Sequence, residues 1–402
     1  MTILRECRLG DIATISWGDT TKTKASYTAA GYVAYSASGP DGFMEHFDHD
    51  GPGIVLSAIG AQCGKTWFAT GKWSCIKNTI FLKAKPGLVD PRYLYFLTSD
   101  RQLWPTRGAA QPFISQTDAR SIVVQIHPLE GQRRIASILS AYDDLIENNT
   151  RRIAILEEMA RRIYEEWFVR FRFPGHEGVR MAESELGPVP EGWQVRSVTD
   201  VARVHRGRSY KSSELAESGG LPFVNLKCME RDGGFRSSGL KRYTGVFKDS
   251  QTVRVGSLVM AVTDMTQERR IVARVGRVSQ LGEELGVISM DLVRIETLGE
   301  LPEPYLYGMF RWSGFADEVK QHANGANVLH LHPARIEDYR FACPPSELAD
   351  RFAAMVAPMF SLDDALERQS TNLRTTRDLL LPKLISGELD VSDLPLPEAV
   401  AA

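Results

Sequence analysis

The sequence lacks several features that would place it in a familiar class of protein. No apolar run approaches the roughly 20 residues of a membrane-spanning helix, and the start MTILRECRLGD has no signal-peptide pattern. The five cysteines are scattered and include no CxxC pair, which predicts reduced thiols in a cytoplasmic protein. The formal net charge of −2 argues against indiscriminate binding to nucleic acid and leaves local basic patches open.

A complete phosphate-binding loop is also missing. The segment GAQCGKT, residues 60–66, resembles one, but only Ala61, Gln62 and Cys63 separate Gly60 from Gly64, where such a loop needs four residues. The spacing matters because successive backbone N–H groups must converge on one phosphate. A nucleotide hydrolase therefore remains only a third hypothesis, and another role for this loop is favoured.

Motifs for catalysis or metal binding are absent as well. CPPSE, residues 343–347, lacks the Asn or Asp and the aromatic residue of an adenine methyltransferase motif. The histidine pairs in HFDH and HLH have no further ligands at the spacing of a zinc site. Asp143, Asp144 and Glu147 fit a solvated or partner-contacting helix face better than a catalytic carboxylate pair. We therefore expect no catalytic residue, no metal site and no cofactor in this chain.

What the chain does contain is an internal repeat. GAAQPFISQTDARSIVVQIHPLEGQRRIASIL, from Gly108, matches GANVLHLHPARIEDYRFACPPSELADRFAAMV, from Gly325, without a gap. Upstream, DPRYLYFLTS resembles EPYLYGMFRW, and GPGIVLSAIG resembles RVGSLVMAVTD. Each half therefore has the same order of parts, a β-rich mixed domain followed by a long helix.

Both long helices carry an apolar seven-residue repeat. The seam positions are Ile135, Tyr142, Asn149, Leu156 and Ile163 in the first helix, and Phe352, Met359, Leu366, Leu373 and Leu380 in the second. A repeat kept over about four heptads indicates a coiled coil, and the simplest arrangement pairs the two helices with each other, antiparallel. The alternative is an ordinary amphipathic helix packed on its own domain. Asn149 at a seam position is expected to cost stability and could set the register.

The predicted fold is α+β, with two similar mixed α/β domains separated by an antiparallel coiled coil and related by a pseudo-twofold repeat. Short runs such as GIVLSAI and SLVMAV predict a twisted, largely antiparallel sheet in each domain. The predicted boundaries are 1–129 for the first domain, 130–172 for the central helix, 173–192 for a linker, 193–345 for the second domain, 346–390 for the C-terminal helix and 391–402 for a tail.

Two related domains on a spacer are suited to reading two DNA sites a fixed distance apart. Arg and Lys neutralise phosphates, and Arg, Asn and Gln can pair with base edges. Candidate DNA-binding residues in the first domain are Lys22, Lys24, Tyr27, Gln62, Lys65, Lys77, Arg107 and Gln111. Those in the second domain are Arg206, Arg208, Lys211, Lys227, Arg231, Thr266, Gln267, Arg269, Arg270 and Asn327. The ordinary alternative is that these loops are solvated surface.

The segment TDMTQERR, from Thr263, occupies the place in the second half that GAQCGKT occupies in the first. It has no glycine, so a nucleotide site would have been gained or lost by one half alone. Both segments suit an approach to DNA. Gly60 and Gly64 allow the backbone to come close, and Gln62 and Lys65 offer polar contacts.

Several motifs together resemble the specificity subunit of type I restriction–modification systems. They are the helix start EGQRRIA, the segment EWFVRF, the motif LGPVPEGW and the ending LLPKLISGEL, and the resemblance covers essentially the whole chain. It implies two target-recognition domains that each read one half of a bipartite site in double-stranded DNA. It also implies a coiled coil that fixes the spacing and docks two methyltransferase subunits, with restriction–translocase subunits joining the complex. S-adenosylmethionine, ATP and Mg²⁺ would then be bound by those partners, in a system for DNA methylation and phage defence.

Two features depart from this family pattern. The first half lacks the PEGW motif and begins directly with RECRLGDIATI, which predicts a shorter N-terminal strand. Pro358 lies within the second long helix and is expected to kink or interrupt it, so the two docking faces need not be equivalent. Alternative functions are a specificity subunit of a methylation-only or related phage-defence complex, and a coiled-coil adaptor that binds proteins.

Overall fold

The computed structural model describes residues 4–108 and 110–394. Most of the predicted C-terminal tail, from residue 395 onward, lies outside the described residues. The first compact unit consists of the described residues of Met1–Glu147 and Thr371–Ala402, and the second is Asn148–Ser370. Each unit therefore holds one part of each long helix.

The first unit is built mainly from short strands. Its elements are β1 (Arg5–Arg8), α1 (Leu9–Ile12), β2 (Ala13–Trp17), β3 (Tyr32–Ser36), β4 (Gly39–Met44), β5 (His49–Asp50), β6 (Gly53–Ser57), β7 (Thr66–Ala69), β8 (Lys72–Cys75), β9 (Thr79–Ala84), α2 (Pro91–Leu97), α3 (Gln116–Ser121), β10 (Val123–Ile126) and the start of α4 (Leu129–Tyr164). Strands β2, β9, β6 and β7 form an antiparallel sheet in this order. A second sheet, β4-β3-β8-β5, contains one parallel pair, β3 with β8, and β1 pairs with β10.

The core of the first unit lies between the sheet β2-β9-β6-β7 and helix α2. All residues of the run GIVLS in β6 are buried, as expected for a short apolar run that forms a central strand. Asp90 caps α2, because its Oδ1 accepts hydrogen bonds from the N–H groups of Arg92 at 2.9 Å and Tyr93 at 3.0 Å. The capped helix then places the buried side chains of Tyr93 and Leu94 in the same apolar cluster as the sheet.

The second unit repeats this construction. Its further elements are β11 (Met181–Ala182), β12 (Val189–Pro190), β13 (Gln194–Ser197), β14 (Ala202–Arg206), β15 (Leu215–Ala216), β16 (Leu221–Val224), β17 (Lys241–Tyr243), β18 (Thr252–Val253), β19 (Leu258–Ala261), β20 (Thr263–Asp264), β21 (Val275–Arg277), β22 (Gly286–Ile288), β23 (Leu292–Thr297), α5 (Glu303–Trp312), α6 (Phe315–Val319), β24 (Leu329–His330), α7 (Ala334–Glu337), β25 (Arg340–Cys343) and α8 (Ser346–Ile385). The last helix, α8, continues into the first unit.

The two units share their strand topology. The order β14-β23-β19-β21 repeats β2-β9-β6-β7, and the parallel pair β16–β22 repeats β3–β8. Strand β13 pairs with β25 as β1 pairs with β10, and each of these strands has four residues. The expectation of a shorter N-terminal strand is therefore wrong. The partner strands β10 and β25 set the paired length, and the PEGW motif before β13 adds no paired residue.

The long helices α4 and α8 run antiparallel where they pack together. In the first unit, the Asp143 carboxylate of α4 accepts a hydrogen bond from Arg377 of α8 at 2.5 Å. In the second unit, the buried Asn149 amide donates to Gln369 Oε1 at 3.1 Å and to Ser370 Oγ at 3.3 Å. Partners of increasing number in α4 thus have decreasing numbers in α8. The predicted α+β fold, with its internal repeat and its antiparallel coiled coil, is confirmed, while the predicted boundaries between the parts stay predictions.

An aromatic cluster gives a structural reason for the motifs EWFVRF and LGPVPEGW. A wider, π-helical turn, Glu165–Val169, follows α4, and its side chains Trp167 and Phe168 are buried. The Phe168 ring lies 5.2 Å from that of Phe352 in α8 and 6.1 Å from that of Trp193 in the PEGW motif. The predicted linker also contributes to the core of this unit, since its strands β11 and β12 pair and Phe173 packs on Trp193.

Pro358 does not interrupt α8, which is continuous from Ser346 to Ile385. The expected interruption is therefore wrong, while the expected kink stays a prediction. Proline removes the N–H that would bond the carbonyl of Ala354, but both residues are exposed, so solvent can satisfy that carbonyl.

The described residues also show whether a helix could span a membrane and whether the cysteines form disulfides. In the part of the chain that the structure describes, no helix has the length and apolar content needed to cross a membrane. The cysteines Cys7, Cys63, Cys75, Cys228 and Cys343 are free thiols.

A buried ion pair holds the sheet β14-β23-β19-β21 against α8. Arg277 at the end of β21 donates two hydrogen bonds to Asp364 of α8, from Nη1 to Oδ1 at 2.6 Å and from Nη2 to Oδ2 at 2.7 Å. Only 18% of the Arg277 side chain and 7% of the Asp364 side chain are exposed. Two charges buried to this degree depend on each other, since either one alone would be desolvated without a partner.

Replacing Asp364 with Ala is expected to lower the free energy of unfolding by about 3–5 kcal/mol, because it leaves the Arg277 guanidinium buried and unpaired. Urea unfolding followed by tryptophan fluorescence measures this change. The paired replacement Arg277→Met with Asp364→Leu should cost much less, since it removes both charges. Asp378, whose side chain is 62% exposed beside Arg377, is the control, and a loss in Asp364→Ala no larger than in Asp378→Ala would contradict the prediction.

Candidate nucleic-acid interface

Two loops of the first unit lie side by side and form what we call the first loop pair. They are residues 58–65, after β6, and the described residues of 107–114, before α3. Ile59 forms a backbone bridge with Phe113, and the N–H of Ile114 donates to the carbonyl of Ala58 at 2.9 Å. The first loop pair carries these predicted DNA-binding residues: Gln62, Lys65, Arg107 and Gln111.

Within the first loop pair, GAQCGKT does not form a phosphate cradle. Its N–H groups donate to carbonyl oxygens of the protein, each at 2.9 Å: Gly60 to Pro112, Cys63 to Gly60, Gly64 to Ser57 and Lys65 to Gln62. The Arg101 guanidinium donates to the carbonyls of Cys63 at 2.7 Å and Ala61 at 3.2 Å. A strand, β7, follows the loop, whereas a phosphate-binding loop opens a helix. These N–H groups therefore do not converge on a phosphate, which weighs against the nucleotide hypothesis.

The second loop pair consists of residues 263–270, after β19, and residues 323–330, which end with β24. Thr263 pairs with His330 across β20 and β24. The Gln267 amide donates to the carbonyls of Gly325 at 3.3 Å and Ala326 at 3.1 Å, so a side chain of one loop holds the backbone of the other. The second loop pair carries these predicted residues: Thr266, Gln267, Arg269, Arg270 and Asn327.

The two loop pairs have the same backbone pairing. The ungapped alignment from Gly108 and Gly325 places Arg107 opposite Asn324 and Phe113 opposite His330. Arg107 and Phe113 exchange N–H···O bonds of 2.9 and 2.8 Å, and Asn324 and His330 exchange bonds of 3.0 and 2.8 Å. Ile59 and Thr263 then bridge Phe113 and His330, respectively. One scaffold therefore presents different side chains in the two units.

A buried carboxylate organises the second loop pair. Asp264 is 1% exposed, and its Oδ1 accepts from the N–H and the hydroxyl of Thr266, both at 2.9 Å. Its Oδ2 accepts from the N–H groups of Ile271 at 2.9 Å and Val272 at 3.3 Å. Burial acts to raise the pKa of Asp264, but these hydrogen bonds outweigh it and hold the pKa below its ordinary value. The ionised carboxylate thus folds the loop around itself.

Several predicted residues of the first unit lie away from the loop pair and are already paired with carboxylates. Lys22 Nζ contacts Asp48 Oδ1 at 2.9 Å, and Lys24 Nζ contacts Asp41 Oδ2 at 2.6 Å. The Tyr27 hydroxyl donates to Asp41 at 2.8 Å, and burial, followed by this carboxylate, raises the pKa of Tyr27. Both lysines therefore already contact a carboxylate, although 60% of the Lys24 side chain is exposed.

Other basic side chains of the first unit are more accessible. Lys65 is exposed and its Nζ lies 5.3 Å from the centre of the Trp67 ring, a cation–π contact that leaves the charge available. Lys77 is exposed beside the loop of Lys22, to whose carbonyl its N–H donates at 3.2 Å. Arg107 contacts Asp118 at 2.6 Å, yet 63% of its side chain is exposed.

In the second unit the remaining predicted residues are spread over several loops. Arg208 Nε donates to the Tyr243 hydroxyl at 3.2 Å, and Arg270 forms an ion pair with Asp232. Arg206 Nη2 lies 3.2 Å from His332 Nε2. The residues Lys211, Lys227 and Arg231 are exposed at separate places in the sequence. The structure thus brings together the loop-pair residues, but not the whole predicted set.

Two important residues were missed in the sequence. Arg101 donates hydrogen bonds to carbonyls of GAQCGKT from a segment distant in the chain, and no local sequence pattern indicates this contact. Asp264 did have a signal, because Asp followed two residues later by Thr is typical of a turn in which the Asp side chain accepts the later N–H. Among residues 4–108 and 110–394, no three His, Cys, Asp or Glu side chains form a group that could hold a metal ion.

Comparison with known proteins gives a family match over most of the chain. A family model described as "Type I restriction modification DNA specificity domain" matches residues 4–158 and 190–372. These two ranges contain the two strand repeats and most of both long helices.

Individual relatives match over similar lengths. The type I restriction enzyme MjaIX specificity subunit of Methanocaldococcus jannaschii is 25% identical over 355 residues, covering 85% of this chain and 79% of that protein. The MjaVIII specificity subunit of the same organism is 21% identical over 353 residues, covering 85% and 80%. The crystal structure of a type I restriction–modification S subunit from M. genitalium has a TM-score of 0.62 at 15% identity and covers 95% of this chain and 96% of that one. The structural likeness concerns the fold.

Replacing Asp264 with Asn is expected to lower the free energy of unfolding at pH 7 by about 1–3 kcal/mol, because the amide NH₂ faces N–H donors that lose their acceptor. The difference should shrink in acid. The unfolded carboxyl has a pKa of about 3.9, so the stabilisation is fully present above this pH and is lost as pH falls through the lower pKa of the folded state. Denaturant unfolding between pH 7 and pH 3 measures both effects.

Asp249, an exposed carboxylate of the same unit, provides the control. Asp249→Asn should change the free energy of unfolding by less than about 0.5 kcal/mol. A difference between wild type and Asp264→Asn that stays constant from pH 7 to pH 3 would show that the charge of Asp264 is not what holds the loop.

Proposed function

The chain belongs to the type I restriction–modification DNA specificity family, and on that premise we propose that it reads a bipartite target in double-stranded DNA. Its two units each read one half of the target. It catalyses no reaction itself and docks the subunits that do. The observation that carries this proposal is the occurrence of two loop pairs with the same backbone pairing and different side chains.

The loop pairs supply the two kinds of contact that DNA recognition needs. Lys65 in the first pair and Arg269 in the second provide cations for phosphates, and Arg107 can add to them although it also contacts Asp118. Gln62 and Gln111 in the first unit, and Asn327 in the second, are exposed amides suited to base edges. Since the side chains at matching positions differ, the two half-sites differ in sequence and the target is asymmetric.

The paired lysines of the first unit take a secondary part in this proposal. Lys22 and Lys24 already contact Asp48 and Asp41, so a phosphate would have to compete with a carboxylate for each. We therefore assign the main phosphate contacts of this unit to Lys65 and Lys77, both of which are exposed. This assignment also agrees with the net charge of −2, because DNA binding then depends on local cations.

The long helices provide apolar surface for protein partners. Large side chains that are at least 40% exposed occur on both helices within each unit: Leu145 and Leu379 in the first, and Ile155, Met159, Met355 and Leu362 in the second. Ile155 and Met159 are four residues apart and Met355 and Leu362 are seven apart, so each pair shares one helix face and can form part of a contiguous apolar patch of the kind that marks a protein–protein interface. We assign them to two methyltransferase subunits. Restriction–translocase subunits join that complex.

The partners carry the chemistry in this proposal. S-adenosylmethionine belongs to the methyltransferase subunits, and ATP with Mg²⁺ belongs to the translocase subunits. The complex acts in the cytoplasm, where it methylates DNA and takes part in phage defence.

Replacing Lys65 with Ala is expected to weaken DNA binding by the complex with methyltransferase and to reduce the slope of log affinity against log salt by about 1, because one phosphate contact is lost. Fluorescence anisotropy with a labelled duplex at several salt concentrations measures both. ATP hydrolysis by the full complex should remain chemically intact, since GAQCGKT forms no nucleotide site.

Lys83→Ala is the matched control, because Lys83 lies near the opposite end of β9 from the first loop pair and its Nζ contacts the carbonyl of Asp50. Equal losses of affinity in Lys65→Ala and Lys83→Ala would argue against a phosphate contact at Lys65.

Inserting one heptad into each long helix, after Glu147 and after Ser370, is expected to change the gap between half-sites. Seven residues add about 10 Å of helix, which corresponds to about three base pairs of DNA. Methylation of a duplex library with two randomised half-sites and gaps of varied length measures the preferred site and its gap.

The wild-type complex should methylate one two-part sequence with one gap. Methylation that is indifferent to sequence would refute the proposed function. An insertion variant that folds, captures methyltransferase and keeps the wild-type gap would refute only the role of the helices in setting the spacing.

A further inference from the structure

A surface cavity of about 290 Å³ opens in the second unit where several strands end. Its floor is apolar and buried, formed by Val262, Val293 and Leu331. Its exposed rim is formed by Arg206, Met290, His330 and His332, all of them polar except Met290. An apolar floor with a few polar groups at its rim suits a flat, partly polar ligand such as a base edge.

Arg206 is the cation of this cavity, and no carboxylate contacts it in the part of the chain that the structure describes. It is the last residue of β14 and is exposed. Other arginines of this unit differ, since Arg242 pairs with Glu283, Arg270 with Asp232 and Arg274 with Asp317. The charge of Arg206 is thus free to meet a ligand.

The neighbouring side chain of His332 does not satisfy all the hydrogen-bond donors of the Arg206 guanidinium. His332 Nε2 lies 3.2 Å from Arg206 Nη2, while His332 Nδ1 lies 3.3 Å from the N–H of Ala334. A neutral imidazole has one accepting nitrogen, so it can accept from only one of these two donors. If the N–H of Ala334 donates to Nδ1, the proton of the imidazole is on Nε2. The Arg206 guanidinium then faces an N–H donor instead of an acceptor. The fork of Arg206 therefore has more donors than nearby acceptors.

The cavity is continuous with the second loop pair. His330 belongs to β24, where it pairs with Thr263, and both residues line the cavity. The segments that lead from these two residues carry Gln267 and Asn327, which we have assigned to DNA. A duplex held by the second loop pair therefore lies close to the cavity rim.

We propose that this cavity reads a guanine, with the Arg206 guanidinium donating two hydrogen bonds to O6 and N7 in the major groove. This is the pairing for which the Arg fork is suited. His332 positions the fork, and Met290 and His330 flank the base edge. The inference rests on the proposed DNA-reading function and specifies one base of one half-site.

The first unit has no counterpart to this arginine. Trp17 is the last residue of β2, as Arg206 is of β14. Phe113 and Ser115 stand opposite His330 and His332 in the ungapped alignment. An indole and a phenyl ring cannot donate two hydrogen bonds to a guanine. The half-site read by the first unit should therefore be insensitive to changes at Arg206.

The test uses the complex of this chain with its methyltransferase subunit and a duplex library in which both half-sites are randomised. In Arg206→Gln, preference for guanine at one position of one half-site should fall by roughly 5- to 150-fold, with the other half-site unchanged. Arg206→Lys should lose the same preference, because it keeps the charge and loses the fork.

Arg203→Gln is the matched control, because Arg203 is an exposed arginine of the same strand that does not line the cavity. It should keep the wild-type preferences. Thermal melting should be the same for wild type and all three variants, since each replaced side chain is exposed.

The possible outcomes separate this inference from the proposed function. Uniform weakening at all sequences in Arg206→Gln, restored in Arg206→Lys, would make Arg206 a phosphate contact and overturn the guanine assignment. An unchanged guanine preference, or a loss of preference that accompanies a large fall in melting temperature, would also overturn it. If the wild-type complex reads no two-part site at all, the proposed function fails and this inference fails with it.

Discussion

The antiparallel packing of α4 and α8 is the interaction on which both units depend. In the first unit, Ile135 and Leu139 of α4 and Leu384 of α8 belong to the same apolar cluster as the sheet. In the second, Phe352 and Phe360 of α8 do the same. Because each helix contributes to two cores, its sequence must keep an apolar face through its whole length. The seven-residue repeat satisfies this constraint, and the helix remains continuous through Pro358.

The repeated scaffold separates the stability of the loops from their specificity. Backbone bridges at equivalent positions hold both loop pairs, and backbone pairing is independent of which side chains point outward. The first pair is completed by Arg101, which binds loop carbonyls, and the second by Asp264, which binds loop N–H groups. A cation in the first unit and an anion in the second thus both hold a loop by its backbone, which leaves the exposed positions of each loop pair free to differ.

Electrostatics then decides which exposed cations are available. Many basic side chains already contact carboxylates of their own unit, as Lys24 contacts Asp41 and Arg270 contacts Asp232. A phosphate or a base gains more from a cation that has no such partner, because no existing pair must be broken. Lys65 and Arg206 are of this kind, and they lie on or beside the two loop pairs.

The sequence by itself determined the internal repeat, the two long helices with their apolar seams and the positions of the loops, because periodicity and ungapped similarity are local properties that survive in one dimension. It identified Gln62, Lys65, Gln267 and Asn327 as loop residues for the same reason. Only the tertiary structure decided that Lys24 is paired, that Arg101 clasps GAQCGKT, and that Arg206 meets His332. Those contacts join residues distant in the chain, and their energies depend on distances and burial that no local pattern contains.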